Sequence, residues 1–234
     1  MSDRKIGFDG TNIGDPSDTH DDDSVLGVLA KLNDHIHHEA ILYPFQKDPI
    51  QLTAGGTAWV GDGAIVALTN NETACDVAVA VDIGGGVTQI PANGHHVKVG
   101  YYVTIPTSTG YTGIYPVVAV AANTINITAT YAAETFEAAD KVTDVIPEDF
   151  DVHYISISGL SANGDYEVVL FTGVASSEVE VARVSAVRNA FQSQEGAQKI
   201  QMPIYAAKTR ISARLLSGNA AANTANVKIQ YHLY

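Results

Sequence analysis

After Pro44 the chain is a succession of short apolar runs, many of them alternating with period two, closed by Gly, Asn, Asp or Pro, and no segment of helical period separates them. Side chains on a strand alternate between two faces, so such runs bury one face and expose the other. Parallel strands need a crossover of a dozen or more residues, usually a helix. Without one, neighbouring runs pair through tight turns, and the predicted fold class is mainly β and antiparallel. The first runs are Pro49 to Leu52, Ala58-Trp59-Val60, Ala64 to Leu68 and Asp76 to Ile83. Three more follow at 97–105, 113–121 and 124–130, with turns at Thr107–Gly110 and Ala121–Thr124. After a mixed stretch at 131–146 and Pro147-Glu148-Asp149, strands are expected at Val152 to Ser158, Tyr166 to Thr172 and Val179 to Val187. Gln201 to Tyr205, Thr209 to Leu215 and Asn226 to Tyr234 complete the set.

The one segment of helical period precedes Pro44. Residues 1–22, with Gly7, Gly10, Gly14 and Pro16, read as an extended arm. Asp21-Asp22-Asp23-Ser24 then offers capping oxygens and negative charge to a helix N-terminus. Val25, Val28, Leu29, Leu32 and Ile36 recur at helical spacing. The layout predicts an N-terminal arm and helix at 1–39. Residues 40–86 and 147–234 are expected to form an antiparallel β-sandwich with jelly-roll-like connections, and 87–146 an inserted small β-barrel domain. Gly84-Gly85-Gly86 marks the first boundary. Two sequential β domains split near 147 are the alternative, but 40–84 offers too few strands to close a core alone.

Hydrophobic residues make up 46% of 234, enough for a core and too many for a disordered chain. No run approaches the roughly 18 apolar residues of a membrane span, and the acidic first residues lack the apolar stretch of a signal peptide, so a soluble, unsecreted protein is expected. Thirteen Lys and Arg stand against 26 Asp and Glu, a net charge of −13. That excess repels phosphate backbones and anionic lipid, so neither nucleic acid nor membrane is an expected partner. The single Cys75 can form no intrachain disulfide and no thiolate cage for zinc. It lies in the alternating stretch Thr73 to Val79 and reads as a small buried side chain, with Asp76 raising its thiol pKa.

Candidate chemistry is sparse. In Asp34-His35-Ile36-His37-His38-Glu39 the histidines His35, His37 and His38 are weak metal candidates. Their spacing departs from the helical His-Glu-x-x-His pattern, and a polar helix exit is the preferred reading. His95-His96 follows Asn93-Gly94 and is expected to be a turn with exposed rings. Asp15, Asp18, His20 and Asp21 to Asp23 lack the calcium-loop pattern. Gly84-Gly85-Gly86 leads into Val87-Thr88-Gln89-Ile90-Pro91 rather than a helix, so it is no phosphate loop. No catalytic residue and no cofactor are nominated, and the chain is not expected to be an enzyme. Tyrosine is the abundant aromatic, eleven against one Trp and six Phe. Tyr supplies rigid contact area with a polar tip. The expected contact residues are Tyr101, Tyr111 and Tyr115 in the insert, and Val25, Leu29, Leu32 and Ile36 on the helix.

Two stretches carry a likeness. Val99-Gly100-Tyr101-Tyr102-Val103-Thr104-Ile105, then Ser108-Thr109-Gly110-Tyr111-Thr112-Gly113-Ile114-Tyr115-Pro116-Val117 and Asn123-Thr124-Ile125-Asn126-Ile127, resemble a small β-barrel unit of tailed-bacteriophage virion proteins. Ala207 to Leu215, a Gly/Asn/Ala turn and Val227 to Tyr234 resemble the closing hairpin of phage structural β-sandwich proteins. The resemblance implies a virion component, assembled in the host cytoplasm, of the head-decoration (cement) or minor-capsid type. Its implied partners are the major capsid protein, other virion proteins and copies of itself, as a homotrimer. A tail or baseplate component that binds host glycan or another virion protein is the alternative. A metal-dependent hydrolase using the His35–Glu39 cluster is a further one.

Overall fold

A computed structural model of the chain describes residues 43–44, 49–59, 63–190, 195–219 and 221–234. The expected arm and helix, with Val25, Leu29, Leu32, Ile36 and the metal candidates His35, His37 and His38, lie outside the described residues. Tyr43–Tyr234 forms one compact unit. Every strand pairing in it is antiparallel, as the absence of crossover segments requires. No helix among the described residues is long and apolar enough to cross a membrane.

Two of the three sheets share a core. The first runs β1 (Tyr43–Pro44), β16 (Thr224–Leu233), β11 (Phe150–Ser158), β14 (Gly196–Lys199), with β2 (Ile50–Thr53) also paired to β16. The second runs β13 (Val179–Arg188), β12 (Gly164–Thr172), β15 (Ile211–Ser217), β3 (Val66–Ala67). Strand β16 shows why they pack together: Ala225, Val227, Ile229 and Tyr231 are buried while Asn226, Lys228 and Gln230 between them are not. Those side chains join Leu52, Ile155 and Ile157 of their own sheet and Val168, Leu170, Val184, Ala213 and Leu215 of the other in one cluster. Each fully buried aliphatic side chain contributes about 1.5–3 kcal/mol.

The third sheet runs β4 (Glu72–Ala74), β10 (Lys141–Val145), β7 (Tyr102–Thr104), β8 (Ile114–Ala121), β9 (Thr124–Thr128), β6 (Val87–Pro91), β5 (Val81–Gly84). Its first and last strands are successive parts of one segment, 72–84. Between them Ala80 N–H donates to Glu134 O at 2.9 Å and Phe136 N–H to Ala78 O at 2.9 Å, so the segment is bonded along both sides. The sheet has its own core, including Ile90, Val103, Ile105, Tyr111, Val117, Ile125, Ile127 and Phe136.

Gly84-Gly85-Gly86, the expected first boundary, lies between two paired strands. All three adopt positive φ (85°, 65° and 78°) and turn β5 into β6, with Val81 opposite Gln89. The left-handed region is open to glycine without a Cβ clash, so the run makes a tight turn rather than a linker. The strands of this sheet run in chain order from Glu72 to Val145. Two expected strands are also displaced. Ala58 and Trp59 lie in a turn, with Trp59 at φ 57°. At 201–205 only Tyr205 forms an isolated bridge, to Phe150, and the strand lies instead at Gly196–Lys199. Gly-Ala-Gln-Lys carries no apolar alternation because it lies at the outer edge of its sheet.

Candidate functional site

Three places concentrate chemistry. The first is on the face of the five-stranded sheet turned away from the shared core. Phe150 and Val152 point inward, which sends Asp151 outward, opposite His232 on β16. His153 is the extra residue of a bulge: Val152 faces Tyr231 and Tyr154 faces Gln230, so His153 has no partner in the register. Residues two apart on a strand share a face, so His153 lies on the same side as Asp151. His153 Nε2 lies 2.9 Å from Asp151 Oδ2, His232 Nδ1 lies 3.8 Å from Asp151 Oδ1, and the Tyr234 hydroxyl donates to Asp151 Oδ2 at 3.0 Å. The two imidazoles pack edge-on, 5.4 Å between centroids, and His232 packs edge-on against Tyr234 at 4.7 Å. The side chains of Asp151, His153 and His232 are 9%, 19% and 1% exposed. A carboxylate and two imidazoles thus converge in a largely dehydrated place.

The second place is built around Asp144 on β10, whose side chain is fully buried. It accepts from the Asn71 N–H at 2.6 Å and the Asn71 side-chain amide at 3.3 Å, and its Oδ2 lies 2.9 Å from His96 Nε2. Thr73 Oγ1 is 3.4 Å from His96 Nδ1. Hydroxyl, imidazole and carboxylate follow in the order of a nucleophilic triad, beside a cavity of about 370 Å³ that Ile50, Val66, Lys98 and Tyr101 help line. The hydroxyl contact is at the outer limit of hydrogen-bond length, however. Asp144 satisfies the donors of a loop, which is structural work: it ties the point where the chain enters the seven-stranded sheet to the point where it leaves. His95-His96 is not a turn with free rings, since His95 Nε2 also lies 2.7 Å from Ala121 O.

The third place is a stripe on the segment 72–84. Val77, Val79, Val81 and Ile83 recur with period two and are 65%, 51%, 47% and 49% exposed. Val81 and Ile83 lie on β5, and the backbone before them is bonded at Asp76, Ala78 and Ala80, so the four offer side chains rather than a free backbone edge.

The tyrosines expected at a contact surface need one correction. Tyr111 is fully buried. Its hydroxyl donates to Ala132 O at 2.7 Å and accepts from Ala132 N–H at 2.9 Å, and its ring stacks on Phe136 at 5.9 Å. Closing a small core needs a large ring with a satisfied polar tip, and Tyr111 fills that need. Tyr101 and Tyr115 are half-buried against the same core. Tyr102 and Tyr131 remain exposed. Burial, then the charges of Asp140 and Asp76, push the Cys75 thiol up to about 12, which leaves it inert.

Asp151, His153, His232 and Tyr234 escaped the sequence reading. Their only local signals are an Asp-x-His on one strand and a Tyr-His-Leu-Tyr on another, and the pairing of β11 with β16 is what joins them. No protein-family model, no curated protein and no solved structure matches the chain.

Proposed function

We propose that the chain is a structural component of a tailed-phage virion: a capsid decoration protein that binds the major capsid protein as a homotrimer and stabilises the head by contact. The observation that carries this reading is the apolar stripe Val77-Val79-Val81-Ile83, about half exposed or more, on a segment whose backbone is already bonded. Contiguous exposed apolar side chains mark surfaces that another protein covers. Their burial contributes roughly 25 cal/mol for each Å² removed from water. The likeness of 99–127 and 207–234 to phage structural proteins supports the same reading.

The finer fold description belongs with it: a jelly-roll-like sandwich carrying a small inserted barrel. Its supports are the core shared by two sheets and the third sheet's path, which starts and ends on 72–84. A decoration protein acts in the virion, through contact alone, and needs no catalytic group. A shell stabilised by a bound subunit gains in proportion to the logarithm of subunit excess over Kd.

The test is native mass by light scattering, joined to co-sedimentation with phage heads. Trimers that sediment with heads are expected, and Val79→Ser combined with Val81→Ser should abolish at least one of these associations. Wild-type protein that stays monomeric and leaves heads undecorated overturns the proposal, as does a double variant that associates like wild type. The tail or baseplate reading loses Tyr111 to the core. Glycan binding abolished by Tyr102→Ala would favour it instead.

A further inference from the structure

We propose that Asp151, His153 and His232 form a binding site for a zinc-class dication that ties β11 to β16. The site lies within one chain and does not depend on assembly.

The donor set comes first. Two imidazole nitrogens and a carboxylate oxygen suit a borderline dication such as Zn²⁺, whereas Ca²⁺ and Mg²⁺ take mainly oxygen donors. Geometry comes next. One ligand atom from each residue lies within 4.8 Å of the other two. Tetrahedral zinc, with ligand bonds of about 2.0–2.1 Å, places its donor atoms about 3.4 Å apart. The observed separations are 2.9 Å (His153 Nε2 to Asp151 Oδ2) and 3.8 Å (His232 Nδ1 to Asp151 Oδ1), one on each carboxylate oxygen, so closure around one ion needs small rotations of the carboxylate and the rings.

Two independent features point to a ligand. Asp151 Oδ1 is buried and accepts no hydrogen bond; its neighbour is His232 Nδ1 at 3.8 Å, beyond hydrogen-bond length, an arrangement disfavoured for a buried carboxylate oxygen. A cation at this point satisfies it. The bulge is the other: it interrupts the longest pairing of β11 at His153 and leaves that residue outside the register, beside Asp151 on the same face. The Tyr234 hydroxyl, 3.0 Å from Asp151 Oδ2, orients the carboxylate as outer partners of metal ligands do. His153, the most accessible of the three, marks the side from which the ion enters and leaves a fourth position to water.

The experiment uses the full chain, stripped with chelator and then titrated separately with Zn²⁺ and Co²⁺. One Zn²⁺ per chain is expected at this site, and Co²⁺ should give the strong visible bands of a four-coordinate centre. At a hundredfold excess of Zn²⁺ over Kd the unfolding midpoint should rise by about 5–10 °C. Loss of an outer partner weakens metal binding by about 10–100-fold, so His153→Gln and Asp151→Asn should each weaken it by about a hundredfold or more. His153→Gln changes a partly accessible side chain, and circular dichroism of the metal-free variant checks that it folds. Absence of Zn²⁺ binding in the wild-type chain overturns the proposal. So does binding that His153→Gln leaves unchanged, which would place the ion on other histidines. Stoichiometric binding by a folded His153→Gln with intact cobalt bands is the same refutation read spectroscopically.

Discussion

The two-sheet core and the seven-stranded sheet solve one problem by different means. The former gathers aliphatic side chains from β2, β11, β16, β12, β13 and β15 into a single cluster, and apolar area does most of the stabilising. The latter has a smaller cluster and supplements it with buried or half-buried polar anchors. Tyr111 clips both backbone groups of Ala132 through one hydroxyl. Glu134 accepts from the Ser108 hydroxyl at 2.8 Å and from the Thr109 and Gly110 N–H groups at 2.9 Å each. Small cores are short of burial, and hydrogen bonds with fixed geometry make up part of the deficit while setting the path of the loop at 107–111.

Substitutions can separate these two modes. The largest effect is expected from Phe150→Ala, which removes a fully buried ring packed 6.0 Å from both Tyr205 and Tyr231. Urea unfolding should show a loss of about 3–5 kcal/mol. If hydrogen exchange then quickens in the two-sheet core while residues 72–145 keep their protection, the regions are energetically separate; equal loss in both would merge them. Tyr111→Phe keeps the ring and deletes the hydroxyl, leaving the N–H and C=O of Ala132 without it. A loss of about 1–3 kcal/mol is expected, read best as faster exchange of the Ala132 amide. No change there would mean that apolar packing alone holds the smaller region.

Glu134 adds a pH dependence. Burial works against its charge, but the hydrogen bonds from Thr109, Ser108 and Gly110 outweigh burial and hold the carboxyl below its ordinary value of 4.5. A carboxyl depressed in the folded state stabilises it above that ordinary value, and the contribution disappears as pH falls through the folded one. The acid limb of a stability profile should therefore flatten in Glu134→Gln, with about 1 kcal/mol lost near neutrality. An unchanged acid limb would remove the charge from the account. Smallest of all, Val79→Ser with Val81→Ser should alter stability by no more than about 0.5 kcal/mol, since both side chains already face water. A larger loss would show that the stripe belongs to a core.

The contrast between local and long-range signals explains what could be read in advance. Ile114–Ala121, Thr124–Thr128, Phe150–Ser158, Gly164–Thr172 and Val179–Arg188 announce themselves by alternation and turn residues, and the structure places strands there. Gly84–Gly86 was ambiguous because a glycine run suits both a linker and a left-handed turn, and only the pairing of Val81 with Gln89 decides. Tyr111 looked like a contact residue because composition does not reveal which face of a short loop turns inward. The trio of Asp151, His153 and His232 was beyond reach altogether. The spacing of Asp151 and His153 puts them on one face, but only the register of β11 against β16 brings His232 to them.

Strand β16 follows every other strand in chain order yet lies inside its sheet, between β11 on one side and β1 and β2 on the other. A ribosome releases the chain in that order. All seven strands of the third sheet have emerged before β11 begins, whereas Thr53 meets its partner Thr224 only when the final strand appears. At about 5–20 residues per second, that wait lasts roughly ten to thirty seconds. Through this interval the apolar faces of β2, β11 and β12 have no complete core to enter. The smaller region is thus equipped to fold first and serve as a solid attachment point, while the larger one passes its synthesis as a client for chaperones.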